Sequence, residues 1–157
     1  MSRAADFYAK LSPYLAHRPG ATAATRAHAW VMRASGGRLG TRLLGVNILV
    51  MRTIGRRSGQ PREAPAFFVP HGDAFAVVAS NAASKATPAW WLNLQANPDA
   101  DALVRGKWSP VRARRATDAE TAELWPRFVS EYKGFDHYKS IATREMPVVL
   151  LEPRAMR

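Results

Sequence analysis

The stretch from Asn47 to Pro70, NILVMRTIGRRSGQPREAPAFFVP, decides how this chain is read. Ile48 to Thr53 is β-branched and largely apolar, which is strand composition. Gly55 to Gly59 supplies turn residues, and Arg62 to Pro70 resumes extended character. A strand, a tight turn and a second strand over so short a span imply antiparallel pairing.

The same texture continues downstream. His71-Gly72-Asp73 forms a turn into Ala74 to Ala79, where Phe75-Ala76-Val77-Val78-Ala79 reads as a buried strand. A loop of small residues runs from Ser80 to Ala86. Thr87 is expected to cap a helix with Pro88 at its first position, passing through Trp90, Trp91 and Leu94 and ending near Asn97-Pro98. Ala102 to Val104 and Lys107 to Ala116 flank Arg105-Gly106 as a hairpin. Its second arm sets Val111, Ala113 and Arg115 against Arg112 and Arg114, the alternation of a half-exposed strand. Thr117-Asp118-Ala119-Glu120 is a capping box, and the helix it opens places Leu124, Trp125, Phe128 and Val129 on one face. A short helix over Phe135 to Ile141 and a strand over Pro147 to Leu151 complete the pattern.

Upstream the texture differs. The first 40 residues are rich in Ala and Arg, with helices expected over Ala4 to Leu15 and Ala23 to Ala34 and a break at Pro19-Gly20. The expected organisation is a helical extension over residues 1–40 and a β-based domain over 41–157. The fold class is α+β, an antiparallel barrel with helices packed outside it.

Composition narrows the function. The chain has 157 residues, enough for one domain with a real core. It contains no cysteine, which excludes disulfides, thiol nucleophiles and thiolate-bound metals. The four histidines show no metal-ligand pairing, so no metal is expected, and only His137 is a candidate proton donor. No secretory signal or apolar span is evident, pointing to the cytoplasm. Lys and Arg number 23 against 12 Asp and Glu, a net charge of +11, and +7 of it precedes Gly55. This favours an anionic partner: an acidic small molecule, a membrane surface or nucleic acid. The basic N-terminal segment offers peripheral contact with anionic lipid at the inner face of the membrane. Nucleic-acid binding is the remote alternative, because no recognition helix or aromatic-basic stacking motif supports it.

The run Gly55-Arg56-Arg57-Ser58-Gly59-Gln60-Pro61-Arg62 is the strongest candidate site. Two glycines let successive backbone N–H groups face one concavity, and the arginines offer bidentate donors to phosphate oxygens. A basic hairpin exposed to water has the same composition. Further on, Ser80 and Asn81 follow a buried strand, and Trp90, Trp91 and Asn93 share the next helix. Small residues beside large aromatic ones make a slot for a planar ring, although core packing also accounts for at least one of the tryptophans.

Taken in order, several motifs resemble the deazaflavin-dependent nitroreductase family. They are Thr53-x-Gly55-Arg56-Arg57-Ser58-Gly59-x-x-Arg62-x-x-Pro65, Val78-Ala79-Ser80-Asn81, Pro88-Ala89-Trp90-Trp91-Leu92-Asn93-Leu94-x-Ala96-Asn97-Pro98 and Thr143-Arg144-x-x-Pro147-Val148-Val149-x-x-Glu152-Pro153. The resemblance implies a split β-barrel related to FMN-binding oxidoreductases. It implies coenzyme F-420, with FMN as the alternative, and direct hydride transfer to a planar electron-poor acceptor such as a quinone or nitroaromatic. A cofactor-holding protein with little turnover is the second reading.

By the same resemblance, Gly55, Arg56, Arg57, Ser58 and Gly59 hold the phosphate of the cofactor and Arg62 its acidic tail. Pro65, Ala79, Ser80, Asn81 and Trp90 border the ring, and Trp91 and Asn93 are further cofactor-binding candidates. Ser80, Tyr132, Phe135 and Tyr138 line the substrate side, with Ser80, Tyr132 and Tyr138 as the catalytic candidates. Two departures stand out. Phe135 lacks a hydroxyl where relatives carry tyrosine, and Ala82-Ala83 stands where many relatives have two glycines, which would strain the loop if it needs positive φ. Oligomeric state stays open.

Overall fold

The computed structural model describes residues 42–43 and 46–155. The two helices expected over Ala4 to Leu15 and Ala23 to Ala34, and with them the proposed boundary at residue 40, lie outside those residues. Seven strands follow in chain order: β1 (Arg42–Leu43), β2 (Val46–Ile54), β3 (Pro61–His71), β4 (Ala74–Val78), β5 (Asp99–Val104), β6 (Lys107–Arg115) and β7 (Val148–Pro153). The helices are α1 (Ala89–Ala96), α2 (Asp118–Glu131) and α3 (Gly134–Ile141), with one turn of 3-10 helix at Asn81–Ala83. Every pairing is antiparallel. The order β2-β3-β4-β7-β6-β5 returns to β2, because Val50, Met51 and Arg52 also pair with Leu103, Ala102 and Asp101. That second pairing closes a six-stranded barrel, so none of these strands keeps a free edge.

Side-chain alternation sorts the apolar residues into two sets. Leu49, Met51, Val77, Ala102, Val111, Ala113, Val149 and Leu151 belong to the first, which draws on all six barrel strands and therefore fills the lumen. Trp91 and Leu94 of α1 join this set. Ile48, Val50, Ala76, Val78, Val148 and Leu150 point the other way and meet Leu124, Phe128, Tyr132, Phe135 and Tyr138 of the α2–α3 region. Central strands are thus buried on both faces, which explains the unbroken apolar runs in β4 and β7. In β6 one face stays wet: Arg112 and Arg114 are exposed between buried Val111 and Ala113 and pair with Asp99, Glu120 and Glu152.

The expected elements are present, with two differences. The Thr117 capping box forms in full. Thr87 does not cap α1: Pro88 occupies the cap position in extended conformation, and its carbonyl accepts from the N–H groups of Trp91 and Leu92. An extended ψ of 134° keeps Pro88 out of the helix and moves the start to Ala89. The other difference is β5, which begins at Asp99 rather than Ala102, because Asp99 and Ala100 find partners in Arg112 and Val111. Among the described residues no helix is long and apolar enough to cross a membrane.

Candidate functional site

The candidate residues fall on three elements around the barrel: the β2–β3 hairpin, the loop after β4, and the α2–α3 junction. The hairpin closes with the Gly55 N–H donating to the Gln60 carbonyl at 2.8 Å, while the Gly55 carbonyl accepts from Ser58 and Gly59 at 3.2 and 2.8 Å. Glycine is needed at 55 for space, since a Cβ there would stand 2.7 Å from Ser58 Oγ and 3.2 Å from the Gln60 carbonyl. It is needed at 59 for conformation, with φ at +64°.

Asn93 of α1 ties this hairpin to the barrel. Its side-chain oxygen accepts from the Arg56 N–H at 3.2 Å and from the Arg56 guanidinium at 3.4 Å. Its amide donates to Thr53 Oγ1 at 3.1 Å, and Thr53 in turn donates to the Arg62 carbonyl. Both Asn93 and Thr53 are buried. A buried amide with both ends satisfied is a rigid connector.

These bonds correct one expectation. The N–H groups of Gly55, Arg56, Ser58, Gly59 and Gln60 are all committed within the molecule, so the turn does not present a row of free backbone donors. What it offers outward is side chains. Arg57 is exposed and meets no carboxylate or hydrogen-bond partner among the described residues, and among them the Arg62 guanidinium bonds only to Ser58 Oγ, at 3.4 Å. Two guanidiniums that meet no carboxylate among the described residues, flanking a serine hydroxyl, could hold an anionic group such as a phosphate or a carboxylate.

The loop after β4 is built differently. Asn81, Ala82 and Ala83 all have positive φ, at 45°, 51° and 58°. No glycine is present, and left-handed backbone costs a residue bearing a Cβ about 1–2 kcal/mol each. The expectation of strain at Ala82-Ala83 therefore has its geometric basis. Ala79 is fully buried, Ser80 half-buried and Asn81 exposed. The Ser80 hydroxyl makes no hydrogen bond among the described residues, whereas Asn81 donates its amide to the Ala86 carbonyl at 2.9 Å.

Ala82 and Ala83 pack against the aromatic cluster of the α2–α3 junction. There Tyr132 stacks on Phe67 with ring centroids 5.2 Å apart and planes 10° from parallel. Phe135 meets Phe67, Trp125, Phe128, Tyr132 and Tyr138 edge to face. The hydroxyls of Tyr132 and Tyr138 lie 3.4 Å from each other. Gly134 allows this arrangement, because a side chain there would run into the Tyr132 ring. All three candidate aromatics are buried, and Phe135 is the hub of the packing. Of the remaining candidates, Pro65 is half-buried opposite Val50, Trp90 is half-buried, and Trp91 is a core residue of the lumen set.

Two residues without an assigned role prove central. Phe67 carries the Tyr132 ring. Arg144, already present in the Thr143-Arg144 motif, reaches back 60 to 65 residues to the loop after β4, donating to the carbonyls of Ala79, Ser80 and Ser84 at 3.0, 2.7 and 2.8 Å. Burial lowers its pKa, and no carboxylate among the described residues pairs with it. No spacing in the sequence announces such a contact.

Comparison with known proteins agrees with this architecture. The family model described as F420H(2)-dependent quinone reductase matches residues 24–153. An F420H(2)-dependent quinone reductase of Mycobacterium tuberculosis (strain ATCC 25618 / H37Rv) is 34% identical over 134 residues, covering 82% of this chain and 89% of the relative. Among solved structures, an F420-H2 dependent reductase, FDR-A, has a TM-score of 0.61 at 29% identity, covering 67% of this chain and 93% of that one. Another, described as a domain-swapped dimer, has a TM-score of 0.64 at 27% identity and covers 83% and 98% of the two chains. The chain belongs to the F420H(2)-dependent quinone reductase family and is an F-420-dependent oxidoreductase.

Proposed function

We propose that this family member reduces a quinone with a hydride from reduced F-420, and that the 55–62 hairpin holds the anionic tail of the cofactor. The observation that carries the reading is the pair Arg57 and Arg62, exposed beside Ser58 without a carboxylate among the described residues, on a turn fixed to the barrel by Asn93. The family description names F420H(2), which favours the deazaflavin over FMN.

The cofactor supplies a two-electron hydride donor, and with one proton the quinone becomes a hydroquinone. The protein then has to hold two rings in contact, exclude water and favour negative charge developing on the acceptor oxygen. Arg57 and Arg62 bind the tail, with Arg56 held back on Asn93 to shape the turn. Ala79, Ser80, Asn81, Pro65 and Trp90 border the ring, with Asn93 and Trp91 supporting that wall from within. The Ser80 hydroxyl, without a hydrogen-bond partner among the described residues, is the donor best placed in bonding terms to meet a reacting oxygen. Tyr132 and Tyr138 line the acceptor side from a packed cluster, and Phe135 contributes shape without a hydroxyl. A nitroaromatic acceptor is a narrower extension of the same chemistry. Peripheral contact of residues 1 to 35 with anionic lipid would bring the site to a lipid-soluble quinone, which co-sedimentation with and without that segment tests.

The direct test is a titration with F-420 and FMN followed by quinone-dependent reoxidation of the reduced deazaflavin. F-420 is expected to bind more tightly than FMN. Replacing Arg57 and Arg62 together by alanine removes two charge-assisted contacts, about 2–4 kcal/mol, or roughly 30- to 1000-fold in Kd. Unchanged affinity would remove the tail from this hairpin.

A further inference from the structure

The loop from Ala79 to Ser84 poses a physical problem. Three consecutive residues with side chains hold left-handed backbone, and the local bonds that hold the turn are few: Ala83 N–H to the Ser80 carbonyl at 2.9 Å, Ser84 N–H to the Asn81 carbonyl at 3.0 Å and the Asn81 amide to the Ala86 carbonyl at 2.9 Å. Strained backbone persists only where its surroundings over-determine it. The element that does so is the guanidinium of Arg144. It grips Ala79 and Ser80 just before the left-handed run and Ser84 just after it, bridging the two ends of the loop with one rigid plane. A further donor bond, from Nη1 to the Glu145 carbonyl at 2.8 Å, fixes the guanidinium to its own segment. The carboxylate of Glu145 is turned to Arg115 instead, so the Arg144 cation is met by carbonyl dipoles on the loop.

We propose that Arg144 is a positioning residue for hydride transfer: it fixes the strained 80–83 turn and, through the Ser80 carbonyl, the place of the Ser80 side chain. This rests on the reading of Ser80 given above. Arginine suits the task because its planar fork serves several carbonyls at once, whereas the lysine ammonium is a single point on a flexible stem. The alanines at 82 and 83 make the chain dependent on it. Glycine would adopt the same φ without strain, so a loop with two glycines would need the staple less.

The test uses the full chain carrying Arg144→Gln, with Arg144→Lys as the second variant if the first fails to fold. Hydrogen exchange on the protein without cofactor is expected to quicken roughly tenfold or more at the amides of Ala83 and Ser84, while barrel amides such as those of Ala76 and Leu150 keep their protection. With F-420 and quinone, kcat is expected to fall about tenfold or more while the Kd for F-420 moves less than about threefold, because the tail-binding hairpin is a separate element. In an Ala82→Gly, Ala83→Gly background the same Arg144→Gln change should cost less kcat. Unchanged exchange at Ala83 and Ser84 would overturn the staple. Faster exchange with kcat intact, or equal loss in both backgrounds, would overturn the positioning role. A wild-type protein inactive toward quinone would sink the functional reading, while the exchange measurement would still judge the contact.

Discussion

The 55–62 hairpin and the 80–84 loop both turn the chain sharply beside a barrel strand, and they reach their shapes by different means. The hairpin places glycine where φ is positive, at Gly59, and where a Cβ would collide, at Gly55. The loop places Asn81, Ala82 and Ala83 at positive φ and depends on Arg144, far along the chain, to keep them there. In the first case the local sequence selects the conformation and tertiary contact only anchors it. In the second, tertiary contact imposes a conformation that the local sequence disfavours. The difference separates a turn that holds its own shape from one whose geometry is set from a distance.

Apart from the arginine variants above, the contrast can be tested in three ways. The largest effect is expected from Asn93→Ala, which cuts the hairpin's anchor. It strands the Arg56 N–H and removes the donor to Thr53 at a buried site, a loss of about 2–4 kcal/mol in denaturant unfolding. F-420 affinity should weaken in parallel, and a stable protein with loosened affinity would show that the anchor acts on the site alone.

The second test reverses the sign of a single exchange. Gly59→Ala forces a Cβ into left-handed backbone and should destabilise by about 1 kcal/mol. Ala82→Gly with Ala83→Gly relieves the same strain, offset in part by the freedom glycine gains when unfolded, and should stabilise by about 1 kcal/mol in total. Destabilisation by both exchanges would mean that the 80–84 loop is not strained.

The smallest effect concerns the start of α2, another place where nearby residues hold the backbone. Hydrogen bonds from Arg114 and then Thr117 lower the Glu120 carboxyl from its usual 4.5 to about 2. A depressed folded-state pKa means stability that is present above about pH 4.5 and lost as pH falls toward 2. Glu120→Gln should therefore flatten the acid limb of a Tm-against-pH curve in that window and leave it otherwise unchanged, a small change for an exposed network.

How far each region could be read in advance follows the same division. The β2–β3 hairpin, the Thr117 capping box and the two-residue turns at Gly72 and Gly106 were legible because their determinants lie within a few residues of one another. The helix cap at Thr87 was misplaced because Pro88 shifts the boundary by one residue, a matter of one ψ angle that composition does not encode. The arginine pair is legible as a candidate anion site, yet which of the turn's donors face outward is not. Two glycines suggested open backbone donors, and the folded hairpin uses those donors to close itself and to meet Asn93. Tyr132, Phe135 and Tyr138 are picked out by the family resemblance and by nothing in their spacing. Their burial around Phe67, a residue of a distant strand, had no signature along the chain.

The sequence by itself determined the alternation of strands, the turns, the apolar faces of the helices and the chemistry of the exposed arginines, since each follows from periodicity or from a residue's own backbone preference. Only the tertiary structure decided that β2 pairs with β5 to close the barrel, that Asn93 fastens the hairpin, and that Arg144 holds a left-handed loop without glycine. Those contacts join residues from about forty to more than sixty positions apart, where what matters is the position in space of a carbonyl or an amide, a quantity set by the packing of the whole barrel rather than by any stretch of the chain.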